Sequence, residues 1–346
     1  MVDATARILD ANFNRVREAL RVIEDYARFV QNDPVGCELI KHLRHDLASC
    51  FRQLPGERLI AARNTPSDVG TSIFTASEQC RADARDVCIA ATKRLPEALR
   101  TLEEYGKTID PSFAAAIEAI RYRVYDLEQR ILLRGDRSAR FAQVRLYLII
   151  TQRYCTRDWL ETAQEAIAAG VDCIQLREKD FEGAELLARA RQLGELCRQH
   201  DVLFFVNDRP DIAVLADADG VHVGQTDLPA REARKIIGPD RLIGISTHSD
   251  EQFAAALTCG ADYIAVGPMF QSTTKPQLYV PGPELLARAV RQTDIPLVPI
   301  GGITPENLDE IKQAGARRVC VCSAITAAHD IGVTTRRLLL STGDGS

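Results

Sequence analysis

The densest polar chemistry in this 346-residue chain lies at Gln175, Arg177 and Lys179, three long polar side chains at period-two spacing. On an extended segment all three leave the same face. Aimed inward, such groups must meet an anion or a polar ligand, because burying them unpaired is costly. The bland alternative is a salt-bridged outer face. Asn207-Asp208 closes the apolar run LFFV, and Gln225-Thr226-Asp227 follows GVHV. Two carboxylates at neighbouring segment ends, with too few His and Cys nearby for zinc, suit one Mg²⁺, a hard cation that keeps several waters and binds substrate phosphates. Asp227 also stands where a helix cap would, just before Leu-Pro.

Weaker signals gather further along. Ser246 ends an apolar run, and Gln271-Ser272-Thr273-Thr274-Lys275 sets hydroxyls beside a lysine, a composition that suits a phosphate. Gly301-Gly302 with Thr304, and Cys322-Ser323-Ala324, are small residues whose backbone N–H groups could cradle a second phosphate. His222 reads equally as a satisfied core histidine or as a group facing a site.

These residues share one position in a regular pattern. From residue 144 onward, eight β-rich apolar runs (144–152, 173–179, 203–208, 220–225, 242–247, 263–268, 296–302 and 318–324) alternate strictly with helical segments of 10–15 residues, several of which end in glycine. Eight βα units predict an α/β protein with a C-terminal (βα)8 TIM barrel, and the polar residues fall at the C-terminal strand ends, where such barrels carry their sites. An open doubly wound sheet would carry fewer strands and a Gly-rich turn after the first, which TQRYCTRDW lacks.

The first 133 residues follow a different grammar, and an all-α domain is expected. Val16, Leu20, Ile23 and Ala27 recur at helical spacing, and RNTPSDVGTSIFTAS (63–77) reads as a long connecting loop. The half repeats itself: Glu18-Ala19-Leu20-Arg21 with Glu24-Asp25-Tyr26 returns as Glu97-Ala98-Leu99-Arg100 with Glu103-Glu104-Tyr105, which suggests a duplicated helix pair. Arg21/Glu24 and Arg100/Glu103 are expected to form i,i+3 bridges on a solvated face. A structural or oligomerising role and a functional surface both stay open. The charged stretch 134–143 reads as a linker, and 144–346 as the barrel domain.

A composition of 46% hydrophobic and 26% charged residues is enough for two cores. A net charge of −5 argues against bulk binding to nucleic acid or anionic membrane. No apolar run suffices to span a bilayer, and the first residues do not read as a secretory signal, so a cytoplasmic protein is expected. The ten cysteines form no CxxC pair and read as small buried hydrophobes. Expected partners are small phosphorylated molecules, and a homo-oligomer through the barrel or the N-terminal helices stays open.

In order, QLREK (175–179), VND (206–208), GVHVGQTD (220–227), GIS (244–246), GPMFQSTTK (267–275), GGIT (301–304) and SAI (323–325) together resemble the thiamine-phosphate synthase family over about residues 145–335. The resemblance implies a transferase that joins a hydroxymethylpyrimidine diphosphate to a thiazole phosphate, or to its carboxylated form, releasing thiamine phosphate and pyrophosphate. It implies that Gln175, Arg177, Lys179, Asn207, Ser246 and Lys275 hold the pyrimidine diphosphate, with Arg177, Lys179 and Lys275 catalytic. Asp208 and Asp227 would carry Mg²⁺. Ser272, Thr273, Thr274, Gly302, Cys322 and Ser323 would surround the thiazole phosphate. The family often has Thr in place of Ser272 and an aliphatic residue in place of Cys322; the first keeps the hydroxyl and the second the backbone N–H. Two rivals remain: a thiazole tautomerase on the same barrel, which would need neither diphosphate nor metal, and a non-catalytic sensor of thiamine intermediates.

Overall fold

A computed structural model describes residues 4–31, 33–54, 56–64, 68, 80–272 and 279–339. The chain divides into two compact units, Met1–Gly135 and Asp136–Ser346. None of the described helices is long and apolar enough to cross a membrane.

The first unit is helical: α1 (Ala4–Phe29), α2 (Pro34–Phe51), the short α3 (Gly56–Ala61), α4 (Ala84–Gly106) and α5 (Pro111–Gln129). The residues at helical spacing, Val16, Leu20, Ile23 and Ala27, are fully buried. Helix α1 packs on α4 and α2, and α5 packs on α4 and α2, so the two sequence repeats, α1–α2 and α4–α5, bury their apolar faces together. Phe51 joins the copies, stacking on Phe13 and meeting Phe113 edge-on. The expected Arg21–Glu24 and Arg100–Glu103 bridges form, at 3.6 and 2.5 Å, but not on a solvated face. Glu24 and Glu103 are buried, and each also receives an arginine from the next helix, Arg44 and Arg121. That tertiary pairing is invisible to an i,i+3 rule. Most of the expected loop 63–77 lies outside the described residues.

The stretch 134–143, read as a charged linker, is helical through Ala142. A π-helical turn (Arg130–Arg134) leads into α6 (Gly135–Ala142). Its one fully buried side chain, Phe141, supplies the reason, because it stacks on Tyr263 at 4.3 Å inside the second unit.

That unit alternates β1 (Leu146–Ile150), α7 (Trp159–Ala168), β2 (Cys173–Leu176), α8 (Gly183–Gln199), β3 (Leu203–Asn207), α9 (Pro210–Leu215), β4 (Gly220–Val223) and α10 (Ala230–Ile237). It continues with β5 (Leu242–Thr247), α11 (Asp250–Ala256), β6 (Tyr263–Val266), α12 (Pro283–Ala289), β7 (Leu297–Pro299), α13 (Leu308–Gln313), β8 (Val319–Val321), α14 (Ser323–Thr326) and α15 (Ile331–Leu338). All eight strands are parallel in the order β7-β6-β5-β4-β3-β2-β1-β8, and a single Ile300–Cys320 bridge joins the two ends, giving a nearly closed TIM barrel. Gly170, Gly238, Gly260 and Gly315, the helix-ending glycines, all adopt positive φ.

Strand parity separates two cores. Leu146, Leu148, Ile174, Phe204, Val221, Ile243 and Ile264 face the helices, whereas Tyr147, Cys173, Phe205, Leu242 and Tyr263 fill the barrel over Phe141. The aromatic layer needs space, and Gly244 provides it: a Cβ there would lie 2.0 Å from the Tyr263 ring. At the N-terminal strand ends Asp172, Asp219 and Asp262 accept backbone N–H groups of Leu146, Phe204 and Ile243, pinning neighbouring strands.

Candidate active site

Above the aromatic layer the barrel opens into a cavity of about 380 Å³ at the C-terminal strand ends. Gln175 shares inward parity with Cys173 on β2. Beyond the strand, pairing continues, since Arg177 N–H donates to Ile150 O (2.9 Å) and Thr151 Oγ1 donates to Arg177 O (2.7 Å). This carries Arg177 and Lys179 to the same cavity, along with Asn207 and Asp208 after β3, Asp227 after β4 and Ser246 on β5. Ser272, Gly302, Cys322 and Ser323 line its other parts. Thr273, Thr274 and Lys275 lie outside the described residues.

Asp208 sits in the left-handed region at φ +60, where aspartate is among the residues that tolerate it. Its N–H donates to His222 O (2.8 Å), and the next N–H, of Arg209, donates to Asn207 O (2.8 Å), which fixes the turn. Lys179 Nζ lies 2.8 Å from Asp208 Oδ2. Burial, and then a hydrogen bond with Asp227, push the Asp208 carboxyl up against the pull of Lys179. Burial also pushes Asp227 upward, but the bond to Asp208, the Gly224 N–H (2.8 Å) and Lys179 hold it below its ordinary value. Two carboxylates in contact divide in this way because both cannot ionise cheaply without a cation. Asp227 therefore closes a turn onto Gly224 and does not cap α10, whose N-cap is Pro229.

Inside the barrel a polar chain crosses from strand to strand. Gln175 Nε2 donates to Tyr147 Oη (2.8 Å), Tyr147 Oη meets Tyr263 Oη (2.9 Å), Tyr263 Oη meets His222 Nδ1 (2.9 Å), and His222 Nε2 meets Ser246 Oγ (2.8 Å). His222 is thus a satisfied core histidine that also borders the cavity. Tyr147 and Tyr263 were not singled out from the sequence; the signal was their inward parity within the apolar runs LYLII and YIAV.

At the opposite end Gly301 and Gly302 adopt φ +100 and +64. Phe270 N–H donates to Gly301 O (2.9 Å), and a Cβ on Gly302 would lie 2.4 Å from Gln271 O, so only glycine fits this close approach of two loops. Asn307 ties the turn, accepting from Thr304 N–H and donating to Gly302 O, each at 2.9 Å. Burial pushes the Cys322 thiol up to about 12, which disfavours the thiolate at neutral pH. All ten cysteines are free.

Residues 146–325 match the family model described as thiamine monophosphate synthase, and residues 7–130 match the ThiD2 family. The thiamine-phosphate synthase of Synechocystis sp. is 44% identical over 97% of this chain and 96% of its own length. That of Rhodopirellula baltica is 45% identical over 94% and 88%. The solved thiamine phosphate pyrophosphorylase from Pyrococcus furiosus is 36% identical, covering 57% of this chain and 94% of its own, with a TM-score of 0.53.

Proposed function

This chain belongs to the thiamine-phosphate synthase family, a family of transferases, and from that premise we propose how its cavity divides the reaction. One end, formed by Gln175, Arg177, Lys179, Asn207 and Ser246, takes the pyrimidine diphosphate, and Lys275 joins them by the family pattern. The other, formed by Ser272, Gly302, Cys322 and Ser323 together with Thr273 and Thr274, takes the thiazole phosphate on hydroxyls and backbone N–H groups. Support for both comes from one observation: every described residue of the two sets lines the same cavity.

Asp208 and Asp227 fit one Mg²⁺. Both donors are carboxylate oxygens, and they touch each other in a way that a divalent cation would relieve. When bound with the diphosphate, the ion would neutralise charge on the departing pyrophosphate. Among the described residues no three His, Cys, Asp or Glu side chains group as metal ligands, consistent with an ion completed by substrate and water.

Departure of pyrophosphate needs its developing negative charge met, and Arg177 and Lys179 stand at the cavity to meet it, with Lys275 as a third cation. Arg177 has no ion-pair partner among the described residues, which leaves its guanidinium for a bidentate grip on phosphate oxygens. Cys322 is held neutral, and no covalent protein intermediate is needed. The residues chiefly orient the two substrates so that the thiazole nitrogen faces the pyrimidine CH₂. The ten free thiols agree with a reducing compartment such as the cytoplasm.

The division is tested by kinetics on single variants. Lys179→Ala should raise KM for the pyrimidine diphosphate or lower kcat while leaving KM for the thiazole phosphate near its starting value, and Ser323→Ala should do the reverse. Equal effects on both substrates from each variant would refute two separate ends.

A further inference from the structure

The polar chain across the barrel has a direction, and its two ends both face the cavity. Gln175 is only 2% exposed, and its Oε1 is buried with no hydrogen-bond partner among the described residues, although its Nε2 donates to Tyr147. A buried acceptor left unmade carries its full desolvation cost, so a donor arriving on a ligand would relieve it. Burial keeps the phenols of Tyr147 and Tyr263 protonated, well above their ordinary values.

The protons can then be followed one by one. Tyr147 Oη accepts from Gln175, so its own proton goes to its other neighbour, Tyr263 Oη. The Tyr263 proton therefore goes to His222 Nδ1. This makes His222 the Nε2–H tautomer, donating to Ser246 Oγ. Ser246 is left with its hydroxyl proton to give to the cavity. The opposite arrangement, with every bond reversed, would require the Gln175 amide to turn over and would present a donor at Gln175 and an acceptor at Ser246.

We propose that Tyr147, Tyr263 and His222 are positioning residues that set this polarity, so that the site accepts an amino-bearing pyrimidine and rejects its oxo counterpart. The exocyclic amine donates to Gln175 Oε1, and Ser246 donates to an acceptor on the same substrate. An oxo group would set oxygen against oxygen at Gln175. A site built on a buried hydrogen bond rejects the mismatched analogue far more strongly than an apolar pocket could. The inference rests on the reading that Gln175 and Ser246 belong to the pyrimidine end.

Tyr263→Phe is the informative variant, since it keeps the ring stacked on Phe141 and removes only the hydroxyl. Tyr147 then loses its acceptor and can donate to Gln175 Oε1, turning the amide. With the full chain, the 4-amino and 4-oxo pyrimidinylmethyl diphosphates are compared as substrates or competing ligands. Wild type should favour the amino form by a hundredfold or more. Tyr263→Phe should raise KM for the amino form about tenfold, cut the amino/oxo preference at least tenfold, and leave KM for the thiazole phosphate within about twofold. An unchanged preference in a folded Tyr263→Phe, or no preference in wild type, overturns the proposal. If that variant does not fold, Tyr147→Phe undergoes the same comparison. Gln175→Ala separates the layers: if it leaves the pyrimidine KM unchanged, the assignment of the pyrimidine end itself is wrong.

Discussion

Asp208 and Asp227, from the ends of adjacent strands, line one cavity and shift each other's carboxyls in opposite directions, with Lys179 Nζ 2.8 Å from Asp208 Oδ2. The raised Asp208 carboxyl has a consequence for stability. Between its ordinary value of 3.8 and its own higher one, the folded chain binds more protons than the unfolded chain. Its contribution to stability therefore falls as pH rises through that window, and above it the ionised group is a cost. Asparagine removes that cost and also suits φ +60. In metal-free protein at neutral pH, Asp208→Asn should leave stability unchanged within about 1 kcal/mol or raise it, because the half-exposed Lys179 partner adds little. Turnover should fall by roughly a hundredfold. Denaturant melts beside pyrophosphate release check this; a matched loss of both would mean that Asp208 is structural.

Acidification should weaken Mg²⁺ binding before it unfolds the protein. The proton that Asp208 takes up above the ordinary carboxylate range competes directly with the cation. Mg²⁺ titrations of the full chain should show an apparent Kd that rises as pH falls through this window, and Asp208→Asn should flatten that dependence.

Gly302→Ala joins a positive φ to a Cβ 2.4 Å from Gln271 O, so it should destabilise the barrel by about 1–3 kcal/mol. If this turn carries the thiazole phosphate, KM for that substrate rises and KM for the pyrimidine diphosphate stays within about twofold. Thermal melts and two-substrate kinetics separate the effects.

Cys322→Val should keep turnover within about threefold, because the buried thiol, at about 12, supplies no thiolate at neutral pH. Alkylation with mass-spectrometric mapping should label exposed Cys80 well before Cys322.

In the helical unit, Glu103→Ala would leave Arg121 nearly buried without its main partner, a loss of about 3–5 kcal/mol. Glu103→Leu combined with Arg121→Met should recover most of it. Calorimetry on the two variants decides whether the pair stabilises the unit or only avoids an unpaired charge.

The barrel was readable because parity is a local property: alternating runs such as LYLII and CIQL declare both their faces. Gln175, Arg177, Lys179, Asp208 and Asp227 were readable for the same reason, as polar residues where strands should end. Helix α6 was not, because its eight residues, mostly polar or charged, carry one buried apolar anchor, Phe141, whose burial depends on Tyr263 more than a hundred residues away. Burial of Glu24 and Glu103 was equally hidden, since Arg44 and Arg121 arrive from other helices. Tyr147 and Tyr263 passed as ordinary core aromatics; only their meeting with Gln175 and His222 makes them part of the site.

The central claim, a cavity that joins the two substrates with metal-assisted loss of pyrophosphate, is tested most directly by product stoichiometry. The full chain is incubated with pyrimidine diphosphate, thiazole phosphate and Mg²⁺, and both products are quantified with and without chelator. We expect thiamine phosphate and pyrophosphate in a one-to-one ratio, abolished by chelation and by omission of either substrate. Pyrophosphate release without thiamine phosphate, or undiminished synthesis in the presence of chelator, would contradict it.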